Sequence, residues 1–191
     1  MAHYNTAILG NNQMRIGITQ RVLMHKGRGH DSLDQSWYEY LSDHELVVIP
    51  NRLPVSVPDM DMLIITGGDD HPMRNQVEQE LASYMFLRGL PVIGVCHGCQ
   101  LLTQQLGGSV VPVDGHMDSY HEITYQDKPH LVNSYHKLRI EQAPKESTVL
   151  AHDPDGYPEA WIWGNIAGIM WHPERMITPW IPQEIQLLLT R

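Results

Sequence analysis

Val92-Ile93-Gly94-Val95-Cys96-His97-Gly98-Cys99-Gln100 is the stretch on which the reading of this chain turns. Val92–Val95 is apolar without alternation, the pattern of a strand buried on both faces of a sheet. His97–Leu106 then reads as an amphipathic helix, stopped by Gly107-Gly108 because glycine readily takes the left-handed conformation that ends helices. A buried strand, a glycine-flanked residue and a helix make up the sequence form of a nucleophile elbow, a tight turn that thrusts its central side chain into a crevice. Cys96 sits at that apex. The helix N-terminus beside it favours a thiolate, and the turn aims the backbone N–H of His97 at the place where an oxyanion would develop. Cys99, one turn further along, should face the packing surface, with a redox Cys-x-x-Cys pair as the other reading.

A thiol nucleophile needs a base, and the base needs a group to orient it. Trp171-His172-Pro173-Glu174 follows the apolar run Ile166–Met170 and puts an imidazole and a carboxylate two residues apart at a strand end. With both in one crevice, Glu174 holds one ring nitrogen of His172 while the other meets Cys96.

Outward from the elbow, β-rich runs alternate with amphipathic ones: Arg15–Thr19, Leu33–Leu41, Leu46–Ile49, Met62–Thr66 and Val77–Leu87. Strand–helix alternation implies an α/β fold, a mostly parallel central sheet with helices on both faces. After Gly107-Gly108, the short runs Ser109–Val113, His121–Tyr125, Val149–His152, Ala160–Trp163 and Ile166–Met170 are separated by Pro, Gly and Asp turns and predict a small antiparallel extension. Pro182–Thr190 predicts a closing helix. Residues 1–13 show no period and read as a flexible extension, with Met14 as a natural start; residues 14–191 read as one domain.

With 191 residues, 42% hydrophobic and 18% charged, the chain has enough apolar side chains for a real core. A net charge of −9 argues against a nucleic-acid surface, since phosphate backbones are held by clustered Lys and Arg. No apolar run is long enough to span a bilayer, and no basic-then-apolar leader is visible. Two cysteines leave no disulfide framework. A cytoplasmic location is therefore expected; the sequence leaves the oligomeric state open, a homodimer among the options.

Gly94–Gln100 and His172–Glu174 together match G-x-C-x-G-x-Q and H-P-E of the class I glutamine amidotransferase superfamily, whose fold is flavodoxin-like, and the resemblance runs from about Arg15 to the C-terminus. It implies a Cys96, His172, Glu174 triad acting on a small-molecule γ-glutamyl substrate. Thr66-Gly67-Gly68-Asp69-Asp70 resembles the family's glycine turn, which implies a second oxyanion donor from Gly68. Val132-Asn133-Ser134-Tyr135-His136 looks like the V-N-S-x-H segment of the γ-glutamyl hydrolase branch, which includes the γ-glutamyl-γ-aminobutyrate hydrolases. By that likeness Gln100, Ser134 and Tyr135 hold the glutamyl head. Two departures stand out: His97 occupies a position that is often Arg or Leu, and the chain is shorter than many γ-glutamyl hydrolases.

The leaving amine is expected to be anionic. Gln20–His30 reads as a loop bordering the crevice, and it carries Arg21, Lys26 and Arg28, with Arg74 close behind the glycine turn. The stretches Gly17–Arg21 and Leu33–Trp37 resemble γ-glutamyl hydrolases of surface-polysaccharide gene clusters, which implies a γ-glutamyl phosphoramidate on a cytidine nucleotide as one candidate substrate. Neither a metal nor an organic cofactor is required by this chemistry. Three other readings stand beside it: a glutaminase subunit feeding ammonia to a synthase partner, a redox-sensing stress protein, and a metal-binding protein built on His25, His30, His116, His121 and His130. The irregular spacing of those histidines argues against the last.

Overall fold

Apolar side chains in this chain alternate between two buried faces, and that alternation builds the central sheet. In the computed structural model, which describes residues 13–190, the elements run in chain order. They are β1 (Arg15–Thr19), β2 (Arg21–His25), β3 (Arg28–Ser32), α1 (Ser36–Tyr40), β4 (Glu45–Ile49), β5 (Met62–Ile65), α2 (Pro72–Leu87), β6 (Val92–Val95) and α3 (His97–Gln105). There follow β7 (Ser109–Pro112), β8 (Ser119–Tyr125), β9 (Lys128–Ser134), β10 (Leu138–Gln142), β11 (Thr148–His152), β12 (Pro158–Trp163), β13 (Ile166–Ile169) and α4 (Gln183–Gln186). Two 3₁₀ turns, Pro173–Arg175 before α4 and Leu187–Thr190 after it, accompany them. The flexible extension expected at residues 1–13 falls, save for Gln13, outside the described residues.

Nine strands form one sheet in the order β4-β1-β5-β6-β13-β12-β11-β8-β9. Contacts from β4 through β13 are parallel, and those from β13 to β9 are antiparallel. The fold is thus the expected flavodoxin-like one, with two small antiparallel sheets, β7–β10 and β2–β3, beside it. Successive strand residues point to opposite faces. Ile16, Ile18, Met62, Ile64, Ile93, Val95 and Ile169 share one buried cluster with Trp37 of α1 and with Ile185 and Leu188. Leu63, Ile65 and Val92 face the other way, against Val77, Leu81 and Met85 of α2 and Cys99 and Leu102 of α3. At roughly 1.5–3 kcal/mol for each fully buried aliphatic side chain, these two clusters drive the closure of both layers. No helix among the described residues is long and apolar enough to cross a membrane.

Several expectations are corrected. Gln20–His30 is not a loop: Arg21–His25 and Arg28–Ser32 pair antiparallel across Lys26-Gly27, both at positive φ (49° and 74°), the twist of a two-residue hairpin turn. Lys128–Ser134, for which no strand is predicted, forms β9, paired with β8 across Gln126-Asp127 at φ 50° and 58°. Helix α2 begins at Pro72, five residues ahead of the apolar run, because proline suits a first helical turn. The closing helix spans Gln183–Gln186 and tightens into a 3₁₀ turn.

Candidate active site

The crevice lies where the parallel strands end. Thr19 ends β1, and beyond β5 lies the glycine turn, beyond β6 Cys96 and beyond β13 His172, the usual ligand position of an open α/β sheet. Cys96 has φ 53° and ψ −104°, a conformation that costs a non-glycine residue about 1–3 kcal/mol. Surrounding structure enforces it: Cys96 N–H donates to Ile169 O at 2.8 Å, and Cys96 O accepts from Gln100 N at 3.0 Å. Gly98 allows α3 to seat there, since a side chain at that position would run into the carbonyl of Ile65. The thiol therefore stands at the head of α3, facing a cavity of about 390 Å³.

His172 and Glu174 are buried beside it. His172 Nδ1 lies 2.6 Å from Glu174 Oε1. Burial opposes an imidazolium here, but hydrogen bonds to Cys96 and to Glu174, with the charges of both, outweigh it and push His172 up to about 9. Asn133 clamps the backbone of His172 from both sides: its Nδ2 donates to His172 O and its Oδ1 accepts from His172 N, each at 2.8 Å. Arg175 lies 3.5 Å from Glu174 Oε1 and 3.3 Å from Asp34, with its guanidinium 5.1 Å from the Tyr135 ring centre. Tyr40, buried near Glu174, is pushed well up by burial and then by that charge.

On the other side of the cysteine, the glycine turn rests on a buried network. Glu78, fully buried, accepts from Thr19 Oγ1 at 2.7 Å and from Arg74 Nε at 2.8 Å, and its second oxygen lies 3.3 Å from His97 Nε2. Arg74 also donates to Thr66 O, and Thr66 donates its hydroxyl to Thr19 O at 3.0 Å. Gly68 has φ +144°, and a side chain there would collide with Arg74 and Arg21. Gly68 and His97, the two expected oxyanion donors, line the same cavity as Cys96.

Gln100 and Tyr135 line that cavity as well, and the Tyr135 ring stands edge-on to His172, centres 5.4 Å apart. Ser134 does not reach it: its side chain is buried and donates to His116 O at 2.7 Å. Arg74 sits beneath the glycine turn, spent on Glu78 and Thr66. Arg21 packs behind Gly68, in a niche with Asp34, Gly67 and Glu174, and Arg28 is exposed on the β2–β3 hairpin. Among the described residues that line the cavity, Lys137 is the one Lys or Arg, and Asp69 and Asp70 of the glycine turn line it too. Sequence reasoning misses Glu78, Asn133, Lys137 and Arg175 as functional side chains. Of these, only Asn133 lies in a segment that the sequence singles out, and there for substrate grip rather than for holding His172.

The cavity wall beyond Tyr135 leads to a second polar group. His116, His121 and His136 surround the buried carboxylate of Glu159, which burial pushes above its ordinary range. Burial, then the neighbouring imidazoles, push His136 down to about 3 and His116 below its usual value.

Residues 30–189 match the glutamine amidotransferase class-I family model. A γ-glutamyl-CDP-amidate hydrolase of Campylobacter jejuni is 27% identical over 186 residues, covering 85% of this chain and 90% of that one. An anthranilate synthase component 2 of Thermococcus kodakarensis is 28% identical over 169 residues, covering 81% of this chain and 88% of that one. Among solved structures, a glutamine amidotransferase from Thermotoga maritima superposes with a TM-score of 0.67 at 13% identity, covering 85% and 77% of the two chains. With the family match spanning most of its length, this chain belongs to the class I glutamine amidotransferases.

Proposed function

We propose that the chain hydrolyses a γ-glutamyl amide bond through a glutamyl thioester on Cys96, releasing L-glutamate and an amine. The observation that carries this is the strained Cys96 at the head of α3, hydrogen-bonded to the His172 imidazole that Glu174 holds at 2.6 Å. Cys96 Sγ attacks the γ-carbonyl carbon, forming a C–S bond while the carbonyl π-pair moves to oxygen. The N–H groups of Gly68 and His97 receive that oxyanion, and removing one such donor costs about 2.7–4 kcal/mol in other enzymes. The C–N bond then breaks as His172 gives its proton to the departing nitrogen. Water, deprotonated by His172, attacks the thioester; the C–S bond breaks and glutamate leaves. Glu174 keeps the imidazole aligned through both steps. Residues 14–191 act in this scheme as one hydrolase domain of the cytoplasm, on a small molecule.

The amine is anionic. The Campylobacter relative supports a phosphoramidate on a cytidine nucleotide, and with it a place in surface-polysaccharide synthesis. Lys137, rather than Arg21, Arg28 or Arg74, is the cation positioned to meet that charge, while Asp69 and Asp70 suit the glutamyl ammonium. The likeness to anthranilate synthase component 2 favours a second reading, in which the amine is ammonia passed to a synthase. Steady-state assay of γ-glutamyl-CDP-amidate, a neutral γ-glutamyl amide and glutamine, for wild type and Lys137→Ala, separates them. Preference for the nucleotide amidate that Lys137→Ala removes is expected. Preference for glutamine, or an equal loss on all three, overturns the anionic amine.

A further inference from the structure

Glu159 is a carboxylate in the wrong place for an unassisted charge. It is 1% exposed, and neither of its oxygens has a hydrogen-bond partner. Around it stand imidazoles in the same condition: His116 Nδ1, both ring nitrogens of His121 and His136 Nε2 are buried and unpartnered. Buried polar atoms are almost always satisfied, so orphans from four residues gathered in one place, His121 turning its Nε2 toward Glu159, indicate something that accepts lone pairs. One ligand atom each from His116, His121 and Glu159 lie within 4.8 Å of one another. His121 Nε2 is 3.6 Å from Glu159 Oε2, and His136 Nε2 is 3.7 Å from Glu159 Oε1. These separations are too long for hydrogen bonds. They are close to the ~3.4 Å edge of a tetrahedron drawn at a Zn–N distance of about 2.05 Å.

We propose that His116, His121 and Glu159, with His136 as fourth donor, form a binding site for a divalent transition-metal ion of the zinc type. Imidazole nitrogen with one carboxylate suits borderline metals better than Mg²⁺ or Ca²⁺, which take oxygen shells. His136 Nδ1 faces the carbonyl of Leu138 at 3.0 Å, the outer hydrogen bond that fixes a metal-binding ring and leaves Nε2 free. Irregular sequence spacing is no obstacle, because the ligands come from the β7–β8 loop, β8, the β9–β10 connection and β12, which the sheet brings together. The ion would brace the crevice wall: the carbonyl of His116 accepts from Ser134 Oγ at 2.7 Å and His136 N at 3.2 Å, the residues on either side of Tyr135.

The test is calorimetric titration of Zn²⁺ into EDTA-treated, dialysed Cys96→Ser protein, a background that removes the cysteine as a competing ligand. It is repeated with His121→Gln or Glu159→Gln added, and melting is followed with and without metal. Co²⁺ gives a visible spectrum for the same site. We expect one equivalent bound, a metal-dependent rise in Tm, and affinity reduced at least about 100-fold in either variant, whose melting in EDTA stays close to that of the parent. Zn²⁺ binding of equal strength in the variants, or no binding in the parent, overturns the site and leaves a cluster of His–Glu contacts.

Discussion

Two buried glutamates, one on each side of the crevice, are handled in opposite ways. Glu78 of α2 is fully enclosed, with one oxygen hydrogen-bonded by both Arg74 and Thr19 and the other 3.3 Å from the His97 imidazole without a hydrogen bond. Glu159 of β12 is enclosed to the same degree, among imidazoles that all stand beyond hydrogen-bond reach. A buried charge with its complement fixes its surroundings, whereas one without it is costly unless a further charge arrives. The parallel side of the molecule, where Glu78 lies, thus holds the glycine turn and the elbow rigid by itself. The antiparallel side, carrying Tyr135 and Lys137, is built to be completed.

The largest effect should fall on the rigid side. Cys96→Ser is expected to keep the fold and lose at least about a thousandfold in kcat, with His172→Ala nearly as severe and Glu174→Ala milder. Release of glutamate, with circular dichroism as the fold check, measures it; a folded Cys96→Ser protein with wild-type turnover would remove the thiol from the chemistry.

The two glutamates should then part company in stability. Glu78→Gln leaves the Arg74 guanidinium buried without its counter-charge and is expected to cost ~3 kcal/mol, and to slow turnover as Gly68 and His97 lose their support. Glu159→Gln in EDTA is expected to cost less than ~1 kcal/mol, because no cation is orphaned. Burial raises the folded Glu159 above its unfolded value, so its contribution is present below the ordinary carboxylate range and fades as pH rises through the raised value. The variant should therefore flatten that loss. Urea unfolding from pH 4 to 8 decides; equal costs for the two variants would mean that Glu159 has partners as strong as those of Glu78.

How much of this was legible follows the same division. On the parallel side, strands such as Leu63-Ile64-Ile65 and Val92–Val95 are apolar on both faces and bounded by glycine, so sheet, elbow and the Cys96–His172–Glu174 constellation could be read from pattern and spacing. The β2–β3 hairpin beside it is short, charged and largely exposed, β9 on the antiparallel side is polar over its first residues, and their turns, Lys26-Gly27 and Gln126-Asp127, are not the common Asn-Gly signals. Gln20–His30 therefore reads as a loop, and no strand is predicted for β9. Arg74 and Glu78 are an i,i+4 pair on α2, but the contacts of Glu78 with Thr19 and His97, and of Glu159 with His121 and His136, join residues far apart in sequence, which no local period encodes.

Titration of His172 ties the elbow to its far strand. Its folded value, about 9, lies above the ordinary 6.5, so the charge pair contributes fully below pH 6.5 and is lost as pH rises through 9. That contribution is at most ~3 kcal/mol. Wild type should lose stability between pH 7 and 10 relative to Cys96→Ala, which lacks the sulfur that raises His172, and kcat should fall over the same limb. Parallel stability curves for the two proteins would show that the imidazolium owes nothing to Cys96.

The smallest effects belong to the β2–β3 hairpin, whose two ends differ. Arg28 is exposed at the far end, so Arg28→Ala should change kcat/KM by less than about twofold on any substrate. Arg21 packs at the near end against the Gly68 backbone: a side-chain carbon built on Gly68 would stand 2.7 Å from Arg21 Cβ. Its guanidinium Nε is buried and points into a niche behind the glycine turn, not into the crevice. Arg21 should therefore act by steadying the turn, and because every substrate uses the same oxyanion donor, Arg21→Ala should lower kcat by a similar factor, about 3–10-fold, on charged and neutral γ-glutamyl amides alike. Arg21→Lys keeps the charge and the aliphatic stem and should recover most of that loss. A loss confined to the nucleotide amidate, recovered by Lys in proportion to charge, would instead put the guanidinium on the substrate and make the hairpin a part of the anion site.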